Sequence, residues 1–124
     1  MSQDIVADGL NQIMNAKMVE KRKLVINRSS KVLLNVLDLM KASGHIDYKI
    51  NDDGTILVDI NKLNVCRAVK PRYYVKKNEI SKYLQRFLPS RNMGVLVLST
   101  NKGLLSHKDA IENQIGGSVL AYFY

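Results

Sequence analysis

Two hydrophobic periodicities alternate along the first half of the chain, and only a fold that packs helices against strands accommodates both. Val6, Leu10, Ile13 and Met14 recur at helical spacing, with Asp4 placed to cap the helix they define. The basic stretch Lys21-Arg22-Lys23 leads into a short β-rich run, Leu24-Val25-Ile26. Ser29 or Ser30 then caps a second helix whose inner face is Leu33, Val36, Leu37 and Met40. Gly44 sits where a left-handed stop is expected. Residues 46–60 read as a hairpin, because Asn51-Asp52-Asp53-Gly54 is turn chemistry and Thr55-Ile56-Leu57-Val58-Asp59-Ile60 is a strand.

The second half is more strand-rich. Residues 61–72 are polar, basic and irregular, and they read as a join between two lobes. A strand is expected at Arg72-Tyr73-Tyr74-Val75. Asn78 is placed to cap a third helix carrying Ile80, Tyr83, Leu84 and Phe87, and Pro89 stops it. Gly94-Val95-Leu96-Val97-Leu98 has the character of a buried strand, followed by a turn at Asn101-Lys102-Gly103. Ser106, with Asp109 three positions on, resembles a capping box for a short helix that Gly116-Gly117 would end. Val119 to Tyr124 completes the chain as a strand. The fold class expected is α/β in the α+β sense. An N-terminal α-β-α-β-β lobe spans 1–62, and a mostly β C-terminal lobe with short helices spans 63–124.

Charge narrows the function. The 124 residues carry 19 Lys and Arg against 11 Asp and Glu, a net charge of +8, and the sequence pI is near 9.7. The excess is lopsided: residues 1–62 hold nine cations against eight anions, and residues 63–124 hold ten against three. A polyanion should therefore prefer the second half. The single cysteine, Cys66, excludes an internal disulfide and a multi-cysteine zinc site. No apolar run reaches membrane-span length, and Met1-Ser2-Gln3-Asp4 lacks the layout of a signal peptide. The expectation is a soluble cytoplasmic protein with no membrane partner.

Catalytic constellations are missing from the sequence. Asp52-Asp53 precedes Gly54 and is read as an Asx turn rather than a metal site. His45 and His107 have no Cys or His at ligand spacing, and His45 is expected on the surface after its helix. Ser99 lacks a nucleophile-elbow context, and Gly116-Gly117 is neither a phosphate loop nor a dinucleotide fingerprint. No enzyme activity, metal or cofactor is expected.

RNA binding is better supported. Ser99-Thr100-Asn101-Lys102-Gly103 places three short hydrogen-bonding side chains at a strand end, followed by a cation and a glycine. Such groups read base edges and 2′-hydroxyls, and the cation neutralises a phosphate. Amides at the next helix start, near Ser106 to Lys108, favour a phosphate, and Gly116 and Gly117 permit a second close approach. Tyr73, Tyr74, Tyr122 and Tyr124 are candidates for base stacking, of which at least half should be core, and Tyr83 is assigned to the core. The run Lys21-Arg22-Lys23 reads as a solvated face. Two alternatives compete. A general basic DNA- or chromatin-binding protein fits the charge but lacks a basic recognition helix, since Lys82 and Arg86 lie on a packed segment. A small nuclease would need a carboxylate or histidine cluster.

These residues carry a family resemblance. Ser99 to Gly103, then Ser106-His107, Gly116-Gly117 and the terminal aromatic strand resemble the C-terminal signature of the universal small-subunit ribosomal protein eight. Asp4-Ile5-Val6-Ala7-Asp8-Gly9-Leu10 with Ile13-Met14-Asn15-Ala16 is similar to the family's first helix, and Ser30-Lys31-Val32 to the entry of its second. Lys70-Pro71-Arg72-Tyr73 and Phe87-Leu88-Pro89-Ser90-Arg91 resemble its archaeal and eukaryotic branch. The resemblance implies a primary binder of small-subunit ribosomal RNA that holds a central-domain helix during assembly. It would act as a monomer within the ribosome, beside other small-subunit proteins. It further implies that the loop Ser99, Thr100, Asn101, Lys102 and Gly103 reads the RNA minor groove, with Ser106, His107, Gly116 and Gly117 beside it. Arg72 and Tyr73 join the interface, and Ser29, Ser30 and Lys31 touch a neighbouring RNA helix. The family loop has serine where this chain has Asn101, and the hairpin over 48–60 is shorter than usual for the branch.

Overall fold

A computed structural model describes residues 5–27, 30–69, 74–89 and 93–124. The chain divides into two compact units, Met1–Cys66 and Arg67–Tyr124.

In the first unit, α1 (Ile5–Met18) and α2 (Lys31–Ala42) accompany β1 (Lys23–Ile26), β2 (Ile46–Ile50) and β3 (Ile56–Ile60). The strands form an antiparallel sheet in the order β1-β3-β2. Ile26 pairs with Ile56 and Ile46 with Ile60, so the buried residues Ile26, Ile46, Ile56, Val58 and Ile60 share one face. α1 buries Val6, Leu10, Ile13 and Met14, and α2 buries Leu33, Val36, Leu37 and Met40, the two stripes expected from spacing. Gly9 lets the helices meet, since a Cβ there would lie 2.9 Å from a methyl of Leu33. Ser30 caps α2 by accepting a hydrogen bond from the Leu33 amide at 3.1 Å, and Gly44 takes the left-handed conformation, φ +81°, beyond its end. In the hairpin turn the Asp53 carboxylate accepts from the Thr55 amide at 3.0 Å and from its hydroxyl at 2.7 Å. Those bonds hold the carboxyl below its usual pKa, and they make this residue a turn brace. His45 is half-buried rather than exposed. Its ring nitrogen lies 3.1 Å from the Ser43 hydroxyl, and burial lowers its pKa.

The second unit holds β4 (Cys66–Ala68) from its second residue on, β5 (Tyr74–Val75), α3 (Ile80–Phe87), β6 (Val95–Thr100), β7 (Gly103–Ser106), α4 (His107–Glu112) and β8 (Gly117–Phe123). The sheet runs β4-β8-β6-β7, and β5 also pairs with β8. β8 lies antiparallel to β6, with a bulge between Val97 and Leu98. Val69, Val75, Ile80, Leu84, Leu88, Leu96, Leu98, Ala110 and Val119 form the core cluster, with Tyr83, Phe87, Tyr122 and Tyr124 half-buried against it. No helix among the described residues is long and apolar enough to cross a membrane.

Four local expectations change. The polar stretch after residue 60 contains a strand, β4, and the segment after the 101–103 turn is a second strand, β7, before the helix begins. The cap position of α3 falls on Glu79, not Asn78, and no side chain caps it. Instead Glu79 reaches back to accept from the Lys76 amide at 3.3 Å. Gly116-Gly117 does not end α4. That helix stops at Glu112 with Asn113 as its cap, and Gln114 makes the left-handed step, φ +57°. Ser106 caps α4 as expected, accepting from the Asp109 amide at 3.3 Å. The Asp4 cap and the Arg72-Tyr73 part of the expected strand lie outside the described residues.

His107 belongs to this core. It is 2% exposed, and its Nδ1 accepts a hydrogen bond from the Leu96 amide at 3.1 Å. Accepting at Nδ1 requires the ring to be unprotonated there. Burial lowers its pKa from the ordinary 6.5, neighbouring Lys108 lowers it further, and Asp109 opposes. The unfolded chain therefore binds the proton more readily than the fold. The stability this residue contributes is complete above pH 6.5 and declines as pH falls from 6.5 toward the folded-state value.

Two measurements check this packing. Leu37→Ala, at a fully buried position, should cost about 2–5 kcal/mol in urea unfolding, while Val32→Ala on the same helix's exposed side should cost under about 1 kcal/mol. His107→Leu strands the Leu96 amide, at a cost of about 1–3 kcal/mol near neutrality. The stability gap to the parent should narrow between pH 7.5 and 5.5, and a gap constant with pH would refute the linkage.

Candidate nucleic-acid interface

The interface is built where β6, β8 and the segment after β5 meet. β6 carries three buried residues, Leu96, Val97 and Leu98, and then surfaces: Ser99 is exposed and Thr100 half-buried. Thr100 pairs with Gly103 across the hairpin to β7. Its hydroxyl donates to the Gly103 carbonyl at 2.8 Å and accepts from the Lys102 amide at 3.1 Å. Thr100 thus spends its hydroxyl holding the turn, while Ser99 and Asn101 present theirs and an amide to solvent.

β8 enters the sheet beside this turn, Ser118 pairing with both Ser99 and Tyr74. The two glycines make that entry possible. A Cβ on Gly117 would lie 2.6 Å from the Ser99 carbonyl oxygen, and one on Gly116 would run into the Val75 carbonyl and sit 3.0 Å from the Tyr74 hydroxyl. Any side chain at either position forces the strands apart.

The result is a groove of about 600 Å³. The β6 end supplies Ser99, Thr100 and Asn101, and the entry to β8 supplies Gln114 through Ser118. The remaining wall is Tyr74, Lys76, Lys77 and Asn78. Hydroxyls, amides, an exposed tyrosine and two lysines line it, with no carboxylate among them. Tyr74 is 65% exposed. These groups can hydrogen-bond sugar and base edges, stack on a base and neutralise phosphates.

The structure gathers six of the sequence-derived residues in this groove: Tyr74, Ser99, Thr100, Asn101, Gly116 and Gly117. Lys102 and Gly103 close the adjoining turn and are exposed. Ser106 is spent as the α4 cap. His107 is the exception to the expected cluster: its ring is turned into the core, and the Leu96 amide occupies its Nδ1. Ser30 and Lys31 sit at the start of α2 in the first unit, Ser30 as cap and Lys31 exposed. Ser29, Arg72 and Tyr73 lie outside the described residues. Sequence reading missed Lys76, Lys77, Asn78 and Gln114. A basic pair directly after an expected strand was their signal, and assigning Asn78 to a cap hid it. Among the described residues no three His, Cys, Asp or Glu side chains gather to hold a metal ion.

Comparison with known proteins supplies the family. The family described as Ribosomal protein S8 matches residues 4–124. The chain is 39% identical over 127 residues to small ribosomal subunit protein uS8A of Schizosaccharomyces pombe, covering 98% of each chain. It is 41% identical over 132 residues to small ribosomal subunit protein uS8 of Desulfurococcus amylolyticus, covering 98% of this chain and 97% of that one. It is 40% identical over 126 residues to small ribosomal subunit protein uS8 of Methanococcoides burtonii, with the same coverage. A match that spans the whole fold, in eukaryotes and archaea alike, leaves one conclusion: the chain belongs to the ribosomal protein S8 family.

Proposed function

We propose that this protein is a structural constituent of the small ribosomal subunit in the cytoplasm. It captures a central-domain helix of the ribosomal RNA in the groove of its second unit and so supports assembly. One observation carries the RNA reading: a carboxylate-free groove combines the exposed Ser99 hydroxyl, amides, a stacking ring and two lysines. The relatives' names supply the ribosomal setting. No catalytic step is assigned to any residue.

The mechanism follows from the chain's own groups. The basic second half draws in the phosphate backbone, and affinity falls steeply with salt as counterions are released. Within the groove, Lys76 and Lys77 take phosphates, and Tyr74 stacks. Ser99 and Asn101 bond to sugar and base edges in an irregular minor groove. Thr100 contributes by holding the turn in shape. Arg72 and Tyr73 precede Tyr74 in sequence and extend the same contact, while Ser29, Ser30 and Lys31 meet a neighbouring RNA helix. Adjacent small-subunit proteins complete the setting of a protein that acts as a monomer there. The DNA-binding alternative finds no support in α3, which packs through Ile80 and Leu84 and holds Arg86 over the Tyr83 ring, 5.2 Å away.

The test is binding to a small-subunit RNA fragment carrying the central-domain helix, against an unstructured RNA of equal length, at two salt concentrations. Selective binding is expected. Ser99→Ala should weaken it by about 1–3 kcal/mol without lowering thermal stability, whereas Thr100→Ala should weaken binding and also loosen the hairpin. Equal, purely salt-driven binding to both RNAs would overturn the reading.

A further inference from the structure

The first unit is close to electrically neutral, with nine cations against eight anions over residues 1–62. Its charges are nevertheless segregated. α1 ends at Met18, α2 ends at Ala42, and β3 ends at Ile60, and these three ends enclose a second groove, of about 1100 Å³. Lys17, Lys21, Arg22 and Lys62 line it, with Asn61 and Asn64 between them. Glu20 is the one carboxylate in the lining. Of the lining cations Arg22 is paired, with Asp59 at 3.0 Å, while away from the groove's lining Asp47 pairs with Lys41 at 3.4 Å, Asp38 bonds to the Tyr48 hydroxyl and Asp53 braces the hairpin turn. Among the described residues, Lys17, Lys21 and Lys62 form no ion pair with a carboxylate.

Helix ends alone do not account for this cluster. Lys17 and Lys41 already stand in the last turns of α1 and α2, where a cation offsets the negative end of the helix dipole. Lys21 and Lys62 lie outside both helices, on segments that run into β1 and out of β3. They meet only because Ile60 donates its amide to the Arg22 carbonyl at 2.7 Å and so ties the two segments together. The floor, Ile60 and Leu63, is buried and offers no apolar anchor. The exposed pair Met18 and Val19 is outside the lining. A protein partner would want a central apolar pocket, while cations interleaved with side-chain amides suit a sugar–phosphate backbone.

We propose that this groove, beyond the C-terminal end of α2, binds the backbone of a further RNA segment, distinct from the helix held by the Ser99 loop and from the helix met at the start of α2 by Ser29, Ser30 and Lys31. Lys17, Lys21 and Lys62 neutralise consecutive phosphates, and Asn61 and Asn64 bond to the sugars between them. The inference rests on the ribosomal reading above and adds a further contact to it.

The experiment compares the parent with Lys17→Gln/Lys21→Gln/Lys62→Gln, a triple variant whose folding is checked by its thermal melt. Each binds two RNAs: the short central-domain helix fragment and the complete small-subunit RNA. The triple variant should hold the fragment as well as the parent does. On the complete RNA it should lose about tenfold or more in affinity, its salt dependence should become shallower by about 2–3 in log–log slope, and one backbone footprint should vanish. Unchanged affinity and footprint on the complete RNA would overturn the groove contact, as would an equal loss on both RNAs. Protection of the three lysines by another ribosomal protein, and not by RNA, would also overturn it. A parent that fails to select the helix fragment defeats the Ser99 reading instead, which separates the two failures.

Discussion

The entry of β8 between β5 and β6 is the constraint on which the second unit depends. A strand that pairs on both sides must bring its backbone within hydrogen-bond reach of both neighbours at once, and β8 does so at its first residues. Only residues without a side chain fit there, because the carbonyl oxygens of Val75 and Ser99 occupy the space a Cβ needs. From that point the register carries through the unit: Val119 against Leu98 fills the core, and Tyr122 opposite Leu96 turns its ring toward Phe87, with centroids 5.3 Å apart. The same closeness brings the Ser99 turn next to the Lys76-Lys77 segment. Packing and candidate site are thus consequences of one steric fact.

The two units place their charge by different means. In the second the excess is global, ten cations against three anions over 63–124, so a groove there is positive almost wherever it forms. In the first, near neutrality is achieved by pairing acids with specific partners around the sheet and the α2–β2 corner, where Lys41 both bridges Asp47 and covers the Tyr48 ring. Tyr48 itself is held protonated by its bond to Asp38, its pKa pushed up to about 12. Among the described residues those pairs leave Lys17, Lys21 and Lys62 without a carboxylate partner.

Legibility in the sequence followed the range of the forces involved. α1, α2 and the hairpin were readable because their signals are local: an apolar stripe, a serine cap, an Asx turn before glycine. β4 was not, since Cys66-Arg67-Ala68 has no alternation of its own and becomes a strand through the partner edge of β8. β7 was hidden because Gly103 reads as a turn and Ser106 as a cap, leaving only two leucines between them. The Ser99 loop could be found from residue types alone. Lys76, Lys77 and Gln114 could not, because strand pairing and the left-handed step after α4 bring them beside it from distant parts of the chain. His107 shows the reverse error: nearness in sequence to the loop suggested a shared role, and the sheet turned its ring inward.

The two hydrogen bonds of the Thr100 hydroxyl have a consequence for recognition. With both donor and acceptor capacity engaged inside the turn, the loop holds its shape before any ligand arrives. Little conformational entropy would remain to be lost on docking the proposed RNA, so the unfavourable ordering that flexible loops suffer is largely spent during folding. Such a surface is preorganised: in the proposed role it would discriminate by rejecting RNA shapes that do not match it, rather than by remoulding itself around each one it meets.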